Sequence, residues 1–73
     1  MPDNNIKRSV TVAGHRTSIT LESAFWEALK EIAVAQNKSV NGLIAEIDSL
    51  QPVNLSSAIR VFILKFYKEK SNS

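Results

Sequence analysis

The amino-acid sequence predicts a small α+β domain, mostly helical, in which a short β-hairpin precedes three helices. Polar and apolar residues alternate over residues 8–21, a pattern typical of strands with one buried face. The apolar spacing then becomes that of amphipathic helices, which we predict over 23–36, 40–49 and 55–68. The chain has 73 residues, which is enough for one domain and too few for two.

The hairpin prediction depends on two segments rich in β-branched residues that flank Gly14. Glycine readily takes the positive φ that a tight hairpin turn requires. One face of the two segments is apolar or β-branched, with the residues Val10, Val12, Thr17, Ile19 and Leu21. We predict a disordered arm over 1–6, one domain over 7–69 and a frayed tail over 70–73.

Each predicted helix has a residue near its start that can cap it. Glu22 or Ser23 can cap the first helix, Ser39 the second, and Asn54 or Ser56 the third. The third helix is apolar on nearly every side, which is typical of a buried helix. A chain of this size cannot surround such a helix alone, so we predict that a second subunit completes the core.

The amino-acid composition excludes several kinds of functional site. The hydrophobic fraction is 44% and the charged fraction 22%, as in ordinary globular domains. Cysteine is absent and His15 is the one histidine, so thiolate and multi-histidine metal sites are excluded. A nucleophile, a base and an orienting group cannot be assembled at recognisable spacings. We therefore predict no enzyme activity, no cofactor and no metal.

The chain carries no segment that suggests a membrane protein. Its first ten residues have no apolar stretch resembling a secretory signal, and the longest apolar run is 61–64. That run is far shorter than a membrane span. We predict a cytoplasmic protein with no membrane partner.

The order of strand, helix and Ser-capped helix resembles the ribbon-helix-helix family of DNA-binding proteins. The residues that carry the resemblance are the segment 16–22 and Phe25, Trp26, Leu29, Ile32, Ala33, Asn37 and Ser39. Segments 14–18 and 54–58 also look like a bacterial branch with an added first strand and a third helix. The resemblance implies an intertwined homodimer that binds double-stranded DNA and regulates transcription, with repression as the expected effect.

In that family an antiparallel ribbon from two chains enters the major groove, and the second helix binds a DNA phosphate at its N-terminus. Carried over by position, the resemblance implies base reading by Arg16, Ser18 and Thr20. The residues implied to bind phosphate are Lys38, Ser39, Val40 and Asn41. The residues expected in the dimer core are Ile19, Leu21, Phe25, Trp26, Leu29, Ile32, Leu43, Ile44, Ile47, Phe62 and Phe66.

Other interpretations stay open at this point. The polar side chains of the second strand are also typical of a solvated strand face. The added strand, the net charge of only +2 and the apolar third helix favour a protein–protein interaction module that has the same fold but no longer binds DNA. An antitoxin is disfavoured because only a short tail follows the third helix, and assembly of dimers into higher oligomers on DNA is left open.

Overall fold

A computed structural model describes residues 5–71 of the chain. It consists of an antiparallel hairpin followed by three helices: β1 (Asn5–Val12), β2 (His15–Glu22), α1 (Ser23–Ala35), α2 (Val40–Asp48) and α3 (Leu55–Ser71). The predicted α+β class and the predicted order of elements are confirmed. None of the helices within the described residues is long and apolar enough to cross a membrane.

The two strands are joined by a turn of two residues, Ala13 and Gly14. Both have positive φ, 52° and 80°, and Val12 pairs with His15 across the turn. This is the backbone geometry of the turns that match the twist of a hairpin. His15 is the first residue of β2. Ala13 has a Cβ, so its left-handed conformation costs about 1 kcal/mol.

The variant Ala13→Asn is expected to stabilise the protein. Asparagine takes left-handed backbone angles more readily than alanine, and Asn-Gly is a preferred pair in this turn. We expect the free energy of unfolding in urea to rise by up to about 1 kcal/mol. Ala13→Val introduces a β-branched side chain at the same site and is expected to lower it. The reverse order of stabilities would contradict the turn geometry.

β1 begins three residues earlier than the sequence predicted. Ile6 packs against the core, and its carbonyl accepts a hydrogen bond from the Trp26 indole Nε1 at 2.9 Å. These contacts hold the start of the strand, so the prediction of a disordered arm is wrong for Asn5 and Ile6. The rest of the predicted arm, residues 1–4, lies outside the described residues.

The core lies between the inner face of the hairpin and the three helices. Its buried side chains come from all five elements: Val10, Val12, Ile19, Leu21, Trp26, Leu29, Ile32, Ala33, Leu43, Ile44, Ile47, Ile59 and Ile63. They include every predicted dimer-core residue except Phe25, Phe62 and Phe66, which are partly buried. A single chain thus buries most of the predicted dimer-core side chains, and completion of the core by a second subunit stays a prediction.

Side-chain caps start the second and third helices. The Ser39 Oγ accepts a hydrogen bond from the Gly42 backbone nitrogen at 2.9 Å, and the Asn54 Oδ1 accepts one from the Ser57 nitrogen at 3.0 Å. A Cβ on Gly42 would lie 3.0 Å from the Ser39 Oγ, so the absence of a side chain there gives the cap its room. At the start of α1, Glu22 occupies the cap position without a side-chain capping bond.

α3 extends further than predicted. The Ser71 Oγ donates hydrogen bonds to the carbonyls of Tyr67 and Lys68, each at 3.1 Å, which helps to hold the last turn. The prediction of a frayed tail over 70–73 is therefore wrong for its first two residues, and residues 72–73 lie outside the described part of the chain.

α3 is covered on one side only. Ile59 and Ile63 are buried against the chain's own elements, whereas Val61 and Leu64 are 49% and 59% exposed. The helix contacts α1, α2 and β2 of the same chain. A single chain therefore covers one face of α3 and leaves the other apolar face open, as expected for a chain of this length, and cover of the open face by a second subunit stays a prediction.

Candidate nucleic-acid interface

The hairpin has one polar face directed away from the core, which we call the outer face. Opposite residues of an antiparallel pair share a face, so the register decides which side chains lie together. The six residues that the register brings to the outer face between residues 7 and 20 are Lys7, Ser9, Thr11, Arg16, Ser18 and Thr20. All six are exposed. The three predicted base-reading residues thus form one row, with a second row from β1 beside it.

The outer face carries positive charge. Arg16 lies opposite Thr11 and Lys7 lies opposite Thr20, and no carboxylate belongs to either row between residues 7 and 20. Within residues 5–71, the acidic residue of this face is Glu22, at the end of β2, where it binds Arg60. The sequence analysis missed the β1 row. Which β1 side chains lie beside those of β2 depends on the register of the hairpin, and a local sequence pattern does not establish that register.

Arg60 of α3 binds the end of β2 through two hydrogen bonds. Its Nε donates to the Glu22 Oε1 at 3.0 Å, and its Nη2 donates to the Thr20 backbone carbonyl at 3.3 Å. The guanidinium also lies 6.0 Å from the centroid of the Phe25 ring. α3 is therefore attached to the junction of β2 and α1, at the strand edge that faces away from β1.

The Glu22 carboxyl has a pKa below its ordinary value of 4.5, because its own backbone amide and then the Arg60 guanidinium hydrogen-bond the carboxylate. We expect Arg60→Gln to raise this pKa, as followed by NMR of the side-chain carboxyl carbon. A lowered pKa in the folded state stabilises the protein above the unfolded value, and that contribution is lost as pH falls through the folded value. The stability difference between the variant and the wild type should therefore shrink below pH 4.5.

Arg16→Gln removes an equal charge from the hairpin at a residue that does not contact Glu22, and it serves as the control. Its Glu22 pKa should match that of the wild type. An unchanged Glu22 pKa in Arg60→Gln would mean that the ion pair does not form in solution.

The predicted phosphate site at the start of α2 is in part occupied by the protein's own side chains. The Lys38 Nζ lies 2.6 Å from the Glu46 Oε2, and the two side chains are 38% and 56% exposed. Such an exposed pair is weak, so a phosphate can compete with Glu46 for the ammonium. The first-turn amides of Val40 and Asn41 have no carbonyl partner within the helix, as at any helix start.

Two cations that the sequence analysis did not single out lie close to this helix start. Arg8 and Lys30 line a cleft of about 270 Å³. The other lining residues are Ser9, Val10, Trp26, Val40 and Asn41. The Arg8 guanidinium lies 5.4 Å from the centroid of the Trp26 ring. Arg8 and Lys30 are far apart in sequence, so only the packing of β1 on α1 and α2 brings them together.

These surfaces offer hydrogen-bond donors and positive charge. Guanidinium, ammonium, hydroxyl and helix-terminal amide groups match the acceptors of base edges and phosphate oxygens. Within residues 5–71, no group of three or more His, Cys, Asp or Glu residues is placed to hold a metal ion.

Comparisons with known proteins agree with this geometry. The sequence model of a family described as a ribbon-helix-helix domain matches residues 5–67. Among solved structures, the chain is similar to an uncharacterized protein from Bordetella pertussis Tohama I, with a TM-score of 0.86 and 30% identity. The match covers 97% of this chain and 62% of the other, so this chain spans less than two thirds of that protein's length. Among curated proteins, nothing matches the sequence significantly.

Proposed function

Because this chain belongs to the ribbon-helix-helix family, whose members are in general DNA-binding transcription regulators, we propose that it binds specific DNA sequences and regulates transcription. We infer repression in the bacterial cytoplasm as its mode of action. The observation that carries this proposal is the outer face of the hairpin. It is exposed, polar and positively charged, and a buried core lies directly behind it.

The dimensions and side chains of the ribbon suit the major groove. Two strands lie about 4.8 Å apart, and the groove, roughly 12 Å wide, admits a two-stranded ribbon. Arg16 can donate two hydrogen bonds to the O6 and N7 atoms of a guanine. Ser18 and Thr20 can donate or accept at several base edges, so they discriminate less than Arg16 does.

We propose that the ribbon at the groove is made by β2 of two chains, in a register that Arg60 selects. In a hairpin with a two-residue turn, hydrogen-bonded and non-hydrogen-bonded residue pairs alternate along the strands. Arg16, Ser18 and Thr20 belong to non-hydrogen-bonded pairs, so their backbone N–H and C=O groups point away from β1. Arg60 already binds the Thr20 carbonyl. An antiparallel pairing of Arg16 with Ser18 of the second chain leaves that contact intact, and it is the register we favour.

The homodimer itself is a proposal that the open apolar surface of the chain supports. Val61, Leu64 and Tyr67 of α3 are exposed, and of the predicted dimer-core residues Phe25 and Phe62 are only partly buried. Contiguous exposed apolar residues are characteristic of protein interfaces. If the copy that covers this surface differs from the copy that pairs along β2, the two contacts together would build higher oligomers on DNA.

We propose that the start of α2 binds a DNA phosphate through its first-turn amides. The helix dipole and the unpaired amides favour an anion at this place. Lys38 and Ser39 remain the predicted side-chain contributors, and Arg8 and Lys30 add positive charge in the adjoining cleft. Replacing Lys38 should weaken binding to all sequences alike.

The test of the function is a gel-shift selection with fragments of the native genome at about 150 mM salt. Nonspecific attraction fades as salt rises, whereas specific complexes persist. We expect a small set of fragments to stay bound against excess unrelated duplex. If no fragment is retained, the alternative is a protein–protein interaction module, which the open face of α3 favours.

A further inference from the structure

β1 contributes a row of polar side chains to the outer face. This row has no part in the base reading proposed for β2. Its residues are exposed, and each lies directly opposite one residue of the β2 row: Lys7 opposite Thr20, Ser9 opposite Ser18 and Thr11 opposite Arg16. Within residues 5–71, no carboxylate lies within ion-pairing distance of the Lys7 ammonium. The β1 row therefore lies one strand spacing, about 4.8 Å, from the residues proposed to read bases. The positive charge of Lys7 is available to bind an anion.

We propose that β1 is a phosphate-contacting strand: Lys7, Ser9 and Thr11 bind the DNA backbone on either side of the bases that β2 reads. This inference rests on the proposed function and adds a second set of DNA-binding residues to it.

The width of the assembled sheet places β1 over the phosphates. Two copies that pair along β2 form a sheet of four strands in the order β1, β2, β2, β1. Its two outer strands are three spacings apart, about 14 Å, which exceeds the groove width of roughly 12 Å. The central β2 strands then face the base edges, and each β1 strand lies over one wall of the groove, where the phosphates are.

The residue types of the two rows fit this division. The cation of the β2 row is Arg16, whose planar fork suits a guanine edge, and the cation of the β1 row is Lys7, which is a flexible point charge. Lysine and hydroxyl groups are common donors to phosphate oxygens, and such contacts carry no base information.

β1 is also continuous with the proposed phosphate site of α2. Ser9 of β1 and Asn41 of α2 line the same cleft, together with Arg8 and Lys30. A DNA backbone that passes along β1 would therefore reach the helix start without a break in the donor surface.

The experiment measures the dissociation constants of the full chain and its Lys7→Ala variant on two duplexes over a series of salt concentrations. One duplex is selected by the wild type from a random pool, and the other is its shuffled sequence. We expect Lys7→Ala to weaken both complexes by the same factor and to reduce the slope of log affinity against log salt by about two, because the proposed complex contains one Lys7 from each of its two chains. Thr11→Val keeps the shape and strand preference of the side chain and should give a smaller, equal loss on both.

Lys65→Ala removes the same charge from α3, away from the hairpin, and is expected to leave affinity and slope unchanged. Lys7→Arg should retain both. Circular dichroism establishes that each variant is folded.

Two results would overturn the assignment of β1. If Lys7→Ala leaves affinity and slope as in the wild type, β1 does not contact DNA. If Lys7→Ala or Thr11→Val changes which bases are preferred, β1 reads bases instead of phosphates. By contrast, a wild type that binds the selected and shuffled duplexes equally overturns the proposed sequence-specific function, and an equal loss in Lys7→Ala would still place β1 on the DNA.

Discussion

Replacing Arg16 with alanine is expected to weaken binding to the preferred DNA site by about 1–3 kcal/mol for each chain of the proposed dimer and to relax the preference at one base pair in each half of the site. Arg16 is the one cation in the β2 row, and it is exposed on the outer face with Thr11 opposite it. A bidentate contact to guanine loses both hydrogen bonds in the variant. The measurement is a set of dissociation constants for the preferred site and its single-base-pair substitutions.

Arg16→Lys separates charge from geometry in the same experiment. Lysine keeps the positive charge but cannot make the forked contact, so discrimination should fall while binding to shuffled duplex stays close to that of the wild type. If Arg16→Ala weakens specific and shuffled complexes by the same factor, Arg16 contacts phosphate and the base-reading assignment is wrong.

Replacing Ile59 with alanine is expected to lower the free energy of unfolding by about 2–5 kcal/mol. Ile59 is fully buried on the inner side of α3, so the variant loses apolar contacts and leaves a cavity. Domains of this length have a total stability of roughly 4–11 kcal/mol, so the loss is a large share of it. Urea unfolding followed by circular dichroism measures the effect.

Leu64→Ala provides the matched control on the same helix. Leu64 is 59% exposed, and truncation of an exposed side chain usually changes stability by no more than about 0.5 kcal/mol. A loss comparable to that of Ile59→Ala, present at high protein concentration and absent on dilution, would show that a second copy covers this face of α3. Equal stability of Ile59→Ala and the wild type would contradict the packing of α3 in its own chain.

Local patterns in the sequence predicted most of the fold. Alternation and Gly14 indicated the hairpin, and the caps at Ser39 and Asn54 indicated where two helices begin, because a cap depends on residues only three positions apart. The error at the start of β1 is of another kind. Ile6 is held by Trp26, so the first residues of this strand depend on a residue distant in sequence.

The residues of the candidate site also fall into two groups, those that local sequence predicts and those that only the folded chain brings together. The β2 row follows from alternation within one strand, and the family resemblance points to the same residues. The β1 row needs the hairpin register, and the grouping of Arg8 with Lys30 needs three elements packed together. Arg60 reaches Glu22 from 38 positions away, and no local signal announces such a contact.

The intrachain hairpin has a kinetic consequence. Its strands are joined by two residues, so it closes within microseconds, and its population does not depend on how many molecules are present. A sheet made only by two separate polypeptides would dissolve when those polypeptides are scarce. In the proposed DNA complex, each chain would contribute half of the four-stranded sheet already assembled, so we expect one molecule to bind the duplex first. The bound molecule would then raise the effective concentration of the DNA-bound partner for the next molecule, and we expect pairing to be completed on the DNA at cellular dilution.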